Sequence, residues 1–284
     1  MTRHQLVEQI FSKRSYLCVG LDTDPARMPA HLQNKRHGML DFNRRIIDAT
    51  ADVCVSYKIN TAFYEALGAK GWEILEKTIQ HIPVSHFKIA DAKRGDIGNT
   101  ASQYAKAFFE TLSCDAVTVA PYMGEDSVRP FLEHENKWAI VLGLTSNPGA
   151  IDFELVQMEI TTDLLEEGIH ISRHEKRTLY ELVLEKASKW GNPDNLMFVV
   201  GATREEQFEN VRKLAPNSFF LVPGVGAQGG SLSAISKKTM ISDVGLLVNV
   251  SRAICYASTG KDFAEAARKS ATAYQQEMST YLPA

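Results

Sequence analysis

Eight short runs rich in Val, Ile, Leu and Phe, most of them closed by Gly, Pro, Asp or another polar residue, alternate with helix-like stretches along 284 residues. The runs are YLCVGLD from Tyr16, VSYKIN from Val55, HFKIADAK from His86 and DAVTVAPY from Asp115. They continue with WAIVLGLTS from Trp138, NLMFVVGAT from Asn195, FFLVPGVG from Phe219 and GLLVNVSRA from Gly245. Each is nearly continuous in apolar character instead of alternating, which is the mark of parallel strands covered on both faces.

Between the runs lie segments of helical period, among them NRRIIDATADV, AFYEALGAKGWEILEKTI, TASQYAKAFFETL and TLYELVLEKASKW. Eight βα units in a chain of this length predict an α/β fold, a TIM-type (β/α)8 barrel, as one domain over 1–284. A doubly wound sheet is the alternative, because strand order is not written in a sequence. QLVEQIFSK predicts an extra helix ahead of the first strand. The segment from about 150 to 174 is too long for a simple connection and reads as an insertion after strand five, with a short hairpin expected inside it.

Charge and composition exclude several classes of function. The 31 basic and 34 acidic residues are well mixed and leave a net charge of -3, with no basic arm or stripe, so no nucleic-acid partner is expected. No apolar stretch reaches the length of a membrane span, and MTRHQLVEQIFSKRSYLCVGL lacks the form of a secretory signal, so a cytoplasmic protein is expected. Cys18, Cys54, Cys114 and Cys255 lie far apart, which suits reduced, buried thiols. His170 and His174 have the i,i+4 spacing of one helix face but no third ligand nearby, so no metal is assigned to them.

In a barrel of this type, chemistry sits at the C-terminal ends of the strands. The polar residues there are Asp22, Lys58, Asn60, Asp91, Lys93, Thr145, Ser146, Gln228 and Arg252. The densest group is DAKRGDIGNT, Asp91 to Thr100, directly after the apolar HFKIA. On an extended strand Asp91 and Lys93, two apart, project together, and Lys58 can reach the same space. Interleaved ammonium and carboxylate groups remain paired when water is excluded, which keeps Asp91 ionised and both lysines protonated.

Gly224-Val225-Gly226-Ala227-Gln228-Gly229 fits the dinucleotide fingerprint G-x-G-x-x-G. It lies too late in the chain to open a βαβ unit, and Asp243 precedes the next strand instead of ending it. A phosphate site between the loops after strands seven and eight fits better. Glycines admit close backbone approach there, the amides ahead of SLSAISKK can face an anion, and the Arg252 guanidinium suits a phosphate.

D-x-K-x-x-D-I-x-x-T, with LD at strand one, YK at strand two, TSNPGA, PGVGAQGG and VSRAI, resembles the orotidine 5′-phosphate decarboxylases. The DAKRGDIGNT wording and the long insertion resemble the mainly bacterial group of that family. The resemblance covers essentially the whole chain, with the motifs in the family's order. It implies that Lys58, Asp91, Lys93 and Asp96 form a charged tetrad, the last aspartate coming from a neighbouring subunit, hence a homodimer with shared sites. Ile97 and Thr100 would accompany Asp96 across that interface, Asp22 would contact the nucleotide and Ser146 the pyrimidine edge. Pro223 would lie in the phosphate-gripping region, with Gln228 and Arg252 as phosphate ligands.

The implied reaction is loss of CO₂ from orotidine 5′-monophosphate to give uridine 5′-monophosphate, the last step of de novo UMP synthesis. It would need no cofactor and no metal, and Lys93 would protonate C6. Metal-dependent sugar-phosphate decarboxylases and hexulose-phosphate synthases share the D-x-K-x-x-D core but carry a metal-binding glutamate where Lys58 stands. An ammonium there repels Mg²⁺, which favours the metal-free reaction. A barrel that only sensed a nucleotide phosphate would need the phosphate ligands but not the tetrad.

Overall fold

In the computed structural model, residues 1–166, 169–226 and 229–283 are described, and ten strands occur among them. These are β1 (Leu17–Gly20), β2 (Ser56–Asn60), β3 (Phe87–Arg94), β4 (Ala116–Val119) and β5 (Trp138–Leu144). After them come β6 (Gln157–Glu166), β7 (Ile169–Thr178), β8 (Leu196–Val200), β9 (Phe219–Pro223) and β10 (Leu246–Val250). All except β6 and β7 pair in parallel in the order β1-β10-β9-β8-β5-β4-β3-β2, and β1 pairs with β2 to close the ring. This is the expected (β/α)8 barrel, a single domain, and the closure rules out a doubly wound sheet. All eight predicted strands are present, and four of them, β1, β4, β8 and β10, are buried along their whole length.

Aromatic residues at the start of alternate barrel strands fill the lower end. Phe87 on β3, Trp138 on β5 and Phe219 on β9 are fully buried, and Trp138 packs edge-on with each of the others, centroids 5.9 and 6.3 Å apart. Contributions from every second strand are how such a barrel stacks its interior. The predicted leading helix, Arg3–Lys13, is fixed by a capping box between Thr2 and Gln5 and buries Leu6 and Ile10. It closes the same end: the Met1 carbonyl accepts from Trp138 Nε1 at 2.9 Å, and the Arg3 guanidinium lies 4.9 Å from the Phe219 ring centroid. With one end plugged, the opposite mouth is left for ligands.

Two local expectations change. The stretch from Ala62, predicted as one helix, is split into Ala62–Glu65 and Gly68–His81. Gly68 takes φ 62°, where a Cβ is strained, and Gly71 passes so close to the Tyr64 carbonyl that a Cβ would sit 1.7 Å from its oxygen. The insertion is a long hairpin rather than a short one, with β6 and β7 paired antiparallel from Gln157↔Thr178 to Glu166↔Ile169. It therefore runs past the expected limit at 174, and His170 and His174 lie on a strand. Their i,i+4 spacing is therefore not that of a helix face. Among the described residues no helix is long and apolar enough to cross a membrane.

Candidate active site

The upper ends of the strands enclose a cavity of about 260 Å³, lined by Asp22, Lys58, Asp91 and Lys93 together with residues of the β5, β9 and β10 ends. β2 carries Lys58 inward, 4% exposed, in register with Ile89 of β3, two residues before Asp91. Its Nζ donates to Asp22 Oδ1 at 3.1 Å and to Asp91 Oδ2 at 2.8 Å. Lys93 Nζ donates to the other oxygen, Asp91 Oδ1, at 2.5 Å. The alternation of ammonium and carboxylate expected from sequence is therefore present, and it begins one residue earlier, at Asp22.

Burial alone would raise the Asp91 carboxyl; Lys58 and Lys93 outweigh it and hold the group well below the usual carboxylate range. Burial likewise would lower the Lys58 ammonium, and Asp22 and Asp91 outweigh that, raising it above an ordinary lysine. Both groups are charged throughout the neutral range.

The route that brings Lys93 beside Asp91 differs from the expected one. β3 is not evenly extended here: its register with β4 runs from Ala90↔Val117 to Arg94↔Val119, so three residues face one. Lys93 takes φ 47°, left-handed and unusual for a side-chain-bearing residue, at a cost of about 1 kcal/mol or more. Thr118 on β4, absent from the sequence-based set, faces this bulge. Its Oγ1 accepts from Lys93 N at 2.9 Å and donates to Asp91 Oδ1 at 3.0 Å.

Opposite elements hold the cavity's other walls. Ser146 lines it from the loop after β5, and its carbonyl accepts from Thr203 Oγ1 at 3.3 Å. The neighbouring Thr145 is held by Glu154, at the foot of the hairpin, through its amide at 2.7 Å and its hydroxyl at 2.8 Å. Gly201, at the end of β8, has no room for a Cβ, which would meet Ser146 N at 2.6 Å. Pro223 and Arg252 line the cavity as expected, and so does Asn249, for which the sequence suggested no role.

Gly224 and Gly226 adopt φ 96° and 75°, turning the loop after β9 back so that Gly230 N donates to the Gly224 carbonyl at 3.0 Å. This loop follows the seventh barrel strand and precedes only one more, so the dinucleotide reading is excluded and the phosphate-loop reading retains its place in the fold. Gln228, assigned there from sequence, lies outside the described residues. Asp96, Ile97 and Thr100 are not part of the cavity lining formed by a single chain. Asp96 caps the amide of Ile97 at 2.8 Å, and Ile97 is 54% exposed.

The family model described as orotidine 5′-phosphate decarboxylase / HUMPS matches residues 15–269. A Flavobacterium johnsoniae protein named orotidine 5′-phosphate decarboxylase is 55% identical over 285 residues, 99% of this chain and 98% of its own length. Among solved structures, Leishmania donovani OMP decarboxylase superposes with a TM-score of 0.76 at 34% identity, covering 97% of this chain and 99% of that one. Leishmania donovani UMP synthase gives 0.77 at 37% identity over 95% of this chain, which spans only 56% of that longer protein.

Proposed function

Since the chain belongs to the orotidine 5′-phosphate decarboxylase / HUMPS family, we propose that it is a carboxy-lyase that converts orotidine 5′-monophosphate to uridine 5′-monophosphate and CO₂. The observation that carries this reading is Lys58 held between Asp22 and Asp91, with Lys93 on the second Asp91 oxygen, in one cavity with Arg252.

The nucleotide phosphate binds Arg252 and the glycine-rich loop, with Gln228 contributing from that loop. Ser146 meets the pyrimidine edge and Asp22 the nucleotide. The carboxylate to be lost then lies against ionised Asp91. The C6–carboxylate bond breaks, CO₂ leaves, and the electron pair remains on C6. The Lys93 ammonium stabilises that charge and gives C6 the proton that replaces CO₂; water then reprotonates the amine.

Magnitudes rank these effects. Two unit charges 4 Å apart repel by roughly 4 kcal/mol at an effective dielectric of 20. The slowest uncatalysed reactions require about 20 kcal/mol or more of assistance. Repulsion by Asp91 is therefore a minor share, and fixed charges facing the developing carbanion in a closed site supply most of the rest. Phosphate binding, remote from C6, supplies the energy that closes the site.

The reaction needs no metal in this reading, because Lys58 places an ammonium between the two carboxylates that a dication would otherwise share. Purified protein should consume orotidine 5′-monophosphate, seen as loss of its ultraviolet absorbance, equally with and without chelator. No consumption would overturn the proposal, and activity abolished by EDTA and restored by Mg²⁺ would move the chain to the metal-dependent branch.

The active unit is a homodimer, each subunit lending Asp96, with Ile97 and Thr100 beside it, to its neighbour. The position of these residues outside their own chain's cavity supports this. Inactive Asp96→Ala and Lys93→Ala chains, mixed equally under conditions of proven subunit exchange, should recover up to about a quarter of wild-type activity, because half of the dimers are hybrids and each hybrid has one intact site of its two. No recovery would remove Asp96 from the neighbouring site.

A further inference from the structure

We propose that Thr118 is a positioning residue for the reaction: its hydroxyl locks the bulge that presents the Lys93 ammonium, and at the same time fixes the Asp91 carboxylate against which that ammonium rests. The inference rests on the decarboxylase reading for its kinetic consequence, and on geometry alone for its structural one.

The bulge creates a problem that a regular ladder does not have. Asp91, Ala92 and Lys93 face the single residue Thr118, so the Lys93 amide has no strand carbonyl opposite it. A backbone N–H left unpaired here would cost about 1–3 kcal/mol, added to the strain of a left-handed lysine. Thr118 Oγ1 takes that amide at 2.9 Å. Because the amide can only donate, the hydroxyl must use a lone pair toward it, and its one proton is free to point elsewhere.

That proton goes to Asp91 Oδ1, 3.0 Å away. Asp91 is ionised and can only accept, so the direction of every bond in the group is settled. The same Asp91 oxygen accepts from Lys93 Nζ at 2.5 Å. The result is a closed ring: Lys93 amide to Thr118 hydroxyl, hydroxyl to Asp91, and Asp91 back to the ammonium of Lys93. Both ends of the lysine are thus tied to Thr118, the amide directly and the ammonium through Asp91, and Thr118 is 1% exposed.

The next residue anchors the ring from outside. The Arg94 carbonyl accepts from Ala120 N at 2.8 Å, and its guanidinium pairs with Glu65 and lies 5.5 Å from both the Tyr104 and Phe108 ring centroids. Arg94 thus holds the chain beyond Lys93, and its Nη1 also donates to the Ala92 carbonyl at 3.1 Å, while the Lys93 amide itself is held by Thr118. Without the hydroxyl that amide loses its partner, and the bulge relaxes toward ordinary strand geometry, which turns the Lys93 side chain away from Asp91.

Thr118→Val keeps the branched shape and the strand preference and deletes both bonds. It should lower kcat by about 100-fold, the size expected from a misplacement near 1 Å. KM and the affinity for the product uridine 5′-monophosphate should stay close to wild type, because neither depends on the ammonium's aim. Thr118→Ser, which restores the hydroxyl, should recover most of the loss. Thr118→Ala gives an independent reading if the valine variant folds poorly. In parallel, hydrogen exchange measured over 92–95 should quicken in the valine and alanine variants and return in the serine variant.

A valine variant with wild-type kcat, or one that loses product affinity as much as kcat, overturns the inference. So does unchanged exchange over 92–95. If wild type fails to consume orotidine 5′-monophosphate, the decarboxylase reading falls, and the exchange data still decide whether Thr118 holds the bulge.

Discussion

Lys93→Ala should abolish decarboxylation, with kcat down by about 10⁴-fold or more, and leave a folded protein that still binds uridine 5′-monophosphate. The expected size follows from what the ammonium does. Loss of a positioned proton donor alone costs up to about 10⁴-fold, and the same substitution removes the cation nearest the developing carbanion. Stability should change little. The side chain is 51% exposed and its ammonium bonds Asp91, so the pair is worth at most about 1 kcal/mol to folding. The backbone bond from residue 93 to Thr118 survives in the alanine variant, since it uses only the amide. Steady-state assays with orotidine 5′-monophosphate, product binding by calorimetry and a melting curve check the three parts. Turnover within tenfold of wild type would remove Lys93 from the proton-donor role.

The barrel was legible because its strands are buried on both faces. Such strands cannot alternate, and runs like DAVTVAPY and GLLVNVSRA stand out against the amphipathic helices between them. The charged strand ends were legible for the same reason: Lys58 and Asp91 each end an apolar run, where a charge needs a partner. Asp22 was expected to contact nucleotide, and its pairing with Lys58 adds a second task that only the β1–β2 register reveals.

Other parts could not be read. A threonine inside AVTV is an ordinary strand residue, and nothing local marks Thr118 as facing a bulge. The bulge depends on the offset between β3 and β4, a long-range quantity, and the left-handed Lys93 depends on the bulge. The hairpin strands were hidden by their length and by a helical histidine spacing that the antiparallel pairing overrides. Likewise, the helix breaks at 66–67, ahead of Gly68 at φ 62°, and Gly71 packs on the Tyr64 carbonyl too closely for any side chain, a contact between turns that no local pattern announces.

Lys58→Met separates the cost of burying charge from the benefit of pairing it. Methionine fills similar space, so the substitution leaves Asp22 and Asp91 facing each other with only Lys93 to offset them. Stripping one partner from a buried pair costs about 3–5 kcal/mol, and the lower end applies because Asp22 is 23% exposed. Turnover should be lost as well, since Asp91 is no longer held ionised between two cations. The pH dependence carries the sharper test. In wild type the folded Asp91 carboxyl titrates well below the unfolded one, so its stabilisation is complete above the ordinary carboxylate value and is lost as pH falls below it. Without Lys58 the effect of burial is less opposed, the folded value rises, and acidification costs the variant less. The stability gap between the two proteins should therefore be widest near pH 7 and narrow below about pH 5, as measured by urea unfolding at each pH. A gap that stays constant with pH would mean that Lys58 does not set the charge state of Asp91, and the electrostatic basis of the mechanism would fail with it.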